Sequence, residues 1–445
     1  MKRGITAFGR LEQMGSLRRM IFRRRAARDW NGQPMKKLLV VQVAAWGYRW
    51  LRQEGVSSLA GLPIRSLRPV FPAVTCVAQA TLRTGLPPAA HGMPANGRFF
   101  RETYQSAFWN QSARLVSGAR IWEAFRARGG RVGLYFFQQS LGEQVDEVVS
   151  PAPIHTHGGG MIMATYQKPP RVLGVENPVA LWRYWGPLAS PNVGWDIVRV
   201  LEARLARGDA PELMMAYLPT LDYDLQRHGL DHPKARRSLA LCMAQLERLI
   251  GAARAQGYAV AVSGDYAIAN AEGSVVFPNR ILRQQGLFAT RRVRRMAYPD
   301  FFQSRALALC DHQCALIYCL DPACREQVRE ILEALPEVAE VRPGVGDVDW
   351  EAVARPGCWF AWPWWERAEE APDYASHVDI HNKPGFDPCE LFFGRTPFQV
   401  SADTARVRGT HGRDEDPVAW ATDLPITAAA DAVAFAAALR EWLST

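Results

Sequence analysis

Three runs of consecutive apolar residues stand out along the chain, at positions 37–45, 213–218 and 258–262. Each run has the length of a strand and lacks regular polar alternation, which is typical of strands buried on both faces of a parallel sheet. The segment before the third run, 233–256, has its apolar residues at helical spacing and ends at Gly257. This pattern predicts a βαβ unit, and therefore an α/β fold with a doubly wound, mostly parallel sheet flanked by helices.

Two segments interrupt this pattern. The first, at about 98–210, is irregular and rich in aromatic residues, and the second, at about 311–368, indicates strand, helix and strand followed by an aromatic string. We interpret both as insertions, forming a cap or subdomain, within one domain spanning 36–445.

Polar residues follow each apolar run. Trp46 and Gly47 come after the first, Asp222 after the second, and Asp265 and Tyr266 after the third. Ligands of open α/β sheets bind beyond the carboxyl ends of the strands. The site is therefore expected at the edge where these residues meet.

The basic charge is concentrated at the start of the chain. Residues 1–37 hold eleven Lys or Arg against two acidic residues, which accounts for the whole formal net charge of +9. We predict that residues 1–35 form a disordered basic leader, with two alternatives open: peripheral contact with an anionic membrane surface, or a true start at Met35. Since the remaining body is near neutral, no specific nucleic-acid partner is expected.

No apolar run is long enough to span a membrane, and no signal-peptide core follows the basic residues. The eight cysteines contain no CxxC pair. We interpret them as buried free thiols, which favours a reducing, cytoplasmic location.

The most informative segment is FPAVTCVAQATLRTGLPPAAHGM, at 71–93. An extended, Pro-containing entry precedes Thr75, and residues 76–83 indicate a helix that closes at Gly85. Thr75 therefore lies at the helix start, where open backbone N–H groups and the positive end of the helix dipole suit a phosphate. A threonine at this position is by itself most often a plain cap.

The whole segment resembles the nucleophile signature of the nucleotide pyrophosphatase/phosphodiesterases, in the alkaline phosphatase superfamily. The positions in register are Phe71, Pro72, Thr75, Thr84, Gly85, Pro88, His91, Gly92 and Met93. The resemblance implies an alkaline-phosphatase-like fold, a small phosphorylated substrate and Thr75 as covalent nucleophile. It also implies substrate binding by Asn96, at a position where the family commonly has Asn.

The same resemblance implies a divalent metal, but its ligands carry over only in part. Asp222, Asp265 and His411, the last in a Gly-x-His-Gly context, match family ligands, and His381 is a second candidate for the last position. Where the family has Asp and two His, this chain has Trp46, Gln226 and Tyr266. We therefore expect zinc, with manganese as the alternative, and at most one well-held ion. Gln226 and Tyr266 would act as weaker ligands or as donors to the substrate phosphate.

Three functions remain open at this point. The first is a metal-dependent phosphodiesterase or nucleotide pyrophosphatase. The second is a catalytically inactive protein that keeps the phosphate pocket for binding or assembly in a biosynthetic pathway, which the missing ligands favour. The third is a related transferase that uses the same threonine.

Overall fold

The computed structural model describes residues 35–157, 161–184, 188–376, 391–393 and 400–445. The predicted basic leader lies almost entirely outside them. The α-helices are α1 Tyr48–Gln53, α2 Thr75–Thr84, α3 Pro88–His91, α4 Glu123–Ala127, α5 Val193–Ala206, α6 Asp222–His228, α7 Pro233–Ala255, α8 Pro278–Gln284, α9 Arg325–Glu333 and α10 Ala432–Ser444.

The strands alternate with these helices along the chain. They are β1 Leu38–Val43, β2 Ser58–Leu59, β3 Leu62–Pro63, β4 Arg65–Leu67, β5 Gly97–Phe100, β6 Gln105–Phe108, β7 Val132–Tyr135, β8 Glu147–Pro151, β9 Ile154–His155, β10 Met161–Ile162, β11 Thr165–Lys168, β12 Leu213–Leu218, β13 Ala259–Gly264, β14 Ala269–Asn270, β15 Val275–Val276, β16 Thr290–Val293, β17 Met296–Pro299, β18 Ala306–Asp311, β19 Cys314–Cys319, β20 Val338–Pro343, β21 Trp350–Ala354, β22 Trp359–Phe360, β23 Leu391–Phe393, β24 Val400–Ala402, β25 Gly409–Thr410 and β26 Val418–Thr422.

The main sheet has eight strands in the order β11, β8, β7, β12, β1, β13, β26, β4. The five strands from β8 to β13 are mutually parallel, and the flanking strands are antiparallel. The three apolar runs form β1, β12 and β13, which lie next to one another at the centre and are almost wholly buried. Helices α5 and α7 pack together, as do α2 and α10. The predicted α/β fold with a mostly parallel sheet is confirmed.

The two irregular segments have different places in the fold. Residues 98–210 supply β7, β8 and β11 to the main sheet and also helix α5. Strands β18 to β21 form a separate antiparallel sheet that packs with α9 and has its own hydrophobic core. The turn between β18 and β19 contains His312, whose φ of 57° is in the left-handed region. No helix within the described ranges has the length and apolar character needed to cross a bilayer.

Candidate active site

Parallel pairing gathers the polar residues that follow the central strands. The last residue of β1, Val43, pairs with Leu218 of β12 and with Gly264 of β13. The loops after these strands therefore leave the sheet at one edge, and they carry Asp222 and Asp265. Trp46 follows β1 at the same edge, and its buried indole lies in the main core, where Nε1 has no hydrogen-bond partner in the described part of the chain.

Helix α2 brings Thr75 to this edge. Val74 is extended (φ −136°, ψ 158°), Thr75 is the first helical residue, and Gly85 ends the helix in the left-handed conformation (φ 64°). Every residue of α2 is buried. Because the helix begins at Thr75, its hydroxyl lies at the positive end of the helix dipole.

Other residues of the resembling motif hold α2 in place. The Thr84 hydroxyl donates to Ala80 O and accepts from Leu86 N, which closes the end of the helix. His91 Nδ1 accepts from Met93 N, so Nε2 carries the proton and donates to Thr81 Oγ1 at 3.0 Å. Thr84 and His91 therefore have a structural role at the end of α2.

A hydrogen-bonded clamp holds one of the backbone amides in the first turn of α2. Cys76 N donates to Asn96 Oδ1 at 2.9 Å. Asn96 in turn donates from N and Nδ2 to the two carboxylate oxygens of Asp311, at the end of β18. Asn96 thus contacts the residue that follows Thr75 and links α2 to the second sheet, while its substrate-binding role stays a prediction.

Tyr217 lies between Thr75 and Asp265. Its hydroxyl is 3.4 Å from Thr75 Oγ1 and donates to Asp265 Oδ2 at 3.1 Å. The other oxygen, Oδ1, accepts from the backbone amides of Ala45 and Tyr266. Burial, reinforced by the Asp222 carboxylate, raises the pKa of Asp265 well above its usual 3.8 despite these bonds.

Asp222 forms the second carboxylate centre. Its Oδ1 accepts from Tyr266 Oη and from Gln226 Nε2, both at 2.7 Å. Gln226 Oε1 is buried without a hydrogen-bond partner in the described part of the chain. The two residues that replace family histidines therefore contact the retained carboxylate.

His411 completes the cluster. Its Nδ1 lies 3.0 Å from Ala73 O, to which it donates, so Nε2 carries the lone pair. The ring stacks on Tyr266 at 3.7 Å and lies 3.9 Å from the His312 ring. Burial, followed by His312, lowers the pKa of His411 well below its usual 6.5, so the imidazole is neutral at neutral pH.

The donors fit one divalent cation better than two. On the Thr75 side, Trp46 supplies no acceptor, and both oxygens of Asp311 accept hydrogen bonds from Asn96, which leaves Asp265 as the main carboxylate donor. At the other centre, the Asp222 carboxylate, the unsatisfied Gln226 Oε1 and the His411 Nε2 lone pair are donor types that suit zinc or manganese. Still, no group of three or more His, Cys, Asp or Glu in the described residues forms a complete metal site.

Sequence reasoning missed several residues of the site. Tyr217 lies inside an apolar strand, so its position has the pattern of a core residue. Asp311 and His312 come from a hairpin far along the chain. No site role was predicted for Tyr217, Asp311 or His312 from the sequence. His381 lies outside the described residues, as do the neighbouring acids Asp379 and Asp387.

Comparisons with known proteins identify the family of the chain. The family model described as type I phosphodiesterase/nucleotide pyrophosphatase matches residues 55–387. No curated protein matches the chain in a sequence comparison.

Solved structures show the same fold at low identity. Phosphonoacetate hydrolase from Sinorhizobium meliloti 1021, in complex with phosphonoformate, is 14% identical with a TM-score of 0.56, covering 92% of this chain and 97% of its own. Murine ectonucleotide pyrophosphatase/phosphodiesterase 5 is 16% identical with a TM-score of 0.53, covering 87% and 88%. An inactive threonine-to-alanine variant of that murine protein, in complex with AMP, matches equally well. The alkaline-phosphatase-like fold is confirmed.

The second carboxylate centre gives a metal-binding prediction. Gln226→His adds a second imidazole next to Asp222 and His411, so zinc affinity should rise at least about tenfold. Gln226→Leu removes the amide oxygen and should lower the zinc affinity. Competition with a chromophoric chelator measures both. Equal affinity in the wild type and both variants would show that Gln226 does not face a metal.

Proposed function

The chain belongs to the type I phosphodiesterase/nucleotide pyrophosphatase family, and we propose that it hydrolyses a phosphodiester or pyrophosphate bond of a small molecule with Thr75 as covalent nucleophile. The observation that carries this proposal is the hydrogen-bonded chain from Thr75 through Tyr217 to Asp265, at the start of α2. It joins a hydroxyl nucleophile to a proton acceptor at a site suited to phosphate.

In the first step, Thr75 Oγ1 bonds to phosphorus as the bond from phosphorus to the leaving group breaks. Because Tyr217 donates to Asp265, its oxygen can accept the Thr75 proton while its own proton passes to the carboxylate. The N-terminus of α2 stabilises negative charge on the phosphoryl oxygens. In the second step, water attacks the phosphorylated threonine and restores its hydroxyl.

Family membership supports a divalent metal, and we assign its ligands to Asp222, Gln226 and His411. When bound there, the ion would neutralise charge on the substrate phosphate. The donor set favours zinc, with manganese as the alternative, and a single ion, since Trp46 and Tyr266 leave the Thr75 side with few donors.

Two further observations support the proposal. The murine relative loses activity when a threonine is replaced by alanine and then binds AMP, which fits a nucleophilic threonine that acts on small phosphorylated molecules. No two cysteines of the described residues form a disulfide, which supports a reducing, cytoplasmic location.

A second candidate is a phosphate-binding protein without turnover. It is favoured by the Tyr266 hydroxyl, which donates to the Asp222 carboxylate and so satisfies it without a cation. This candidate predicts that phosphate esters bind and are released unchanged.

The nucleophile is tested by hydrolysis of bis-p-nitrophenyl phosphate with zinc, manganese or magnesium. Thr75→Ala should lower kcat at least about 1,000-fold, and Thr75→Ser should retain measurable turnover because it keeps the hydroxyl. Thr103→Ala, at an exposed position, is the matched control and should leave kcat unchanged. A folded wild type that binds the ester without turning it over, with every metal, would favour the second candidate.

The proton relay is tested by Tyr217→Phe, which keeps the ring and removes the hydroxyl. With the link from Thr75 to Asp265 broken, kcat should fall roughly 100-fold with little change in KM. Tyr258→Phe is the control, because that hydroxyl is also buried in the fold but donates to Pro211 O, outside the relay. An unchanged kcat in Tyr217→Phe would exclude the relay.

A further inference from the structure

A cavity lies on the side of α6 that faces away from the candidate active site. Its volume is about 810 Å³, and its walls come from α6, the start of α7, and residues 189–192, 392–393 and 406–408. On α6, Asp222 and Gln226 are one helical turn apart and belong to the candidate active site. Asp224, Arg227 and His228 line the cavity and fall on the opposite face of the helix. Helix α6 therefore separates the two sites.

Basic side chains dominate this cavity. Among the described lining residues, Asp224 alone is acidic, whereas five are basic: Arg227, Lys234, Arg237, Arg406 and Arg408. The chain beyond residue 37 has almost no net charge, so this excess is local. A cleft lined by charges of one sign concentrates ligands of the opposite sign.

Four of these cations lack a carboxylate partner within the part of the chain that the structure describes. Within the described residues, no ion pair links Lys234, Arg237, Arg406 or Arg408 to an acidic group. Asp224 accepts instead from Ser238 Oγ at 2.6 Å, and its other oxygen lies 3.9 Å from His228 Nε2. Clustered cations repel one another, so an anion bound among them would be stabilised by several charges at once.

Part of the cavity is already organised for such a ligand. Arg406 donates to Phe393 O at 3.1 Å, and its guanidinium lies 4.2 Å from the centre of the Phe392 ring. The start of α7 adds its helix dipole, and the N-cap residue His232 accepts from Lys234 N. The contacts of Arg406 restrict its guanidinium before the ligand arrives, which lowers the entropic cost of binding.

We propose that this cavity binds a small molecule carrying a pyrophosphate group, at a site separate from Thr75. Five basic side chains against Asp224 give the described lining more positive charge than one phosphate, at about −2, can balance. Two linked phosphates carry more charge and extend further, and the cavity volume is that of a site for a small ligand. The proposal does not depend on hydrolysis by Thr75.

The test is isothermal titration of the full chain with methylenediphosphonate, whose P–C–P bridge resists hydrolysis. The double variant Arg237→Gln with Arg408→Gln removes two exposed cations of the cavity and should weaken binding at least about tenfold. Arg236→Gln is the matched control on the same helix, because Arg236 pairs with Glu54 and does not line the cavity. Its affinity should stay within about twofold of the wild type, as should that of Thr75→Ala.

Three results would overturn the proposal. In the first, the double variant binds methylenediphosphonate as tightly as the wild type. In the second, Thr75→Ala loses binding while the double variant retains it. In the third, inorganic phosphate binds as tightly as methylenediphosphonate. A single-stranded oligonucleotide serves as competitor. If it bound more tightly than methylenediphosphonate, the cavity would be part of a nucleic-acid surface instead. Thermal unfolding of each variant confirms that the fold is intact.

Discussion

The parallel pairing of β1 with β12 and β13 is the constraint on which the site depends. Since Val43 pairs with both Leu218 and Gly264, the three loops that follow leave the sheet at one edge. A register shift in either pair would separate Asp222 from Asp265. The buried strands thus fix the positions of Asp222 and Asp265. Helix α2 then places Thr75 at the same edge of the sheet.

At this edge, tyrosine hydroxyls stabilise carboxylates that bound cations would otherwise stabilise. Tyr217 donates to Asp265 and Tyr266 donates to Asp222, so both retained carboxylates are hydrogen-bonded within the chain. Under the proposed mechanism, the first bond offers a path for the Thr75 proton, and the second leaves less of the Asp222 charge for a metal to balance. This arrangement accounts for a family member that keeps its threonine and two carboxylates after losing other ligands.

The features predicted correctly from the sequence are those that a short stretch of neighbouring residues specifies. Continuous apolar runs identified the central strands, and the motif around Thr75 identified α2, because both are signals of neighbouring residues. Tyr217 was not recognised, since a tyrosine in a buried strand has the pattern of a core residue. Asp311 was not recognised as the partner of Asn96, since 215 positions separate the two. The basic cavity was missed for the same reason, because α7 and residues 406–408 meet only in the folded chain.

The most direct test of the central claim is to trap the covalent intermediate. The wild type is mixed with bis-p-nitrophenyl phosphate, quenched with acid within the first turnover, digested and analysed by peptide mass spectrometry. The account predicts a p-nitrophenyl phosphoryl adduct on the peptide that contains Thr75, with fragment ions that assign it to that residue. Turnover with the adduct on another residue, or with no adduct at any time, would contradict the account.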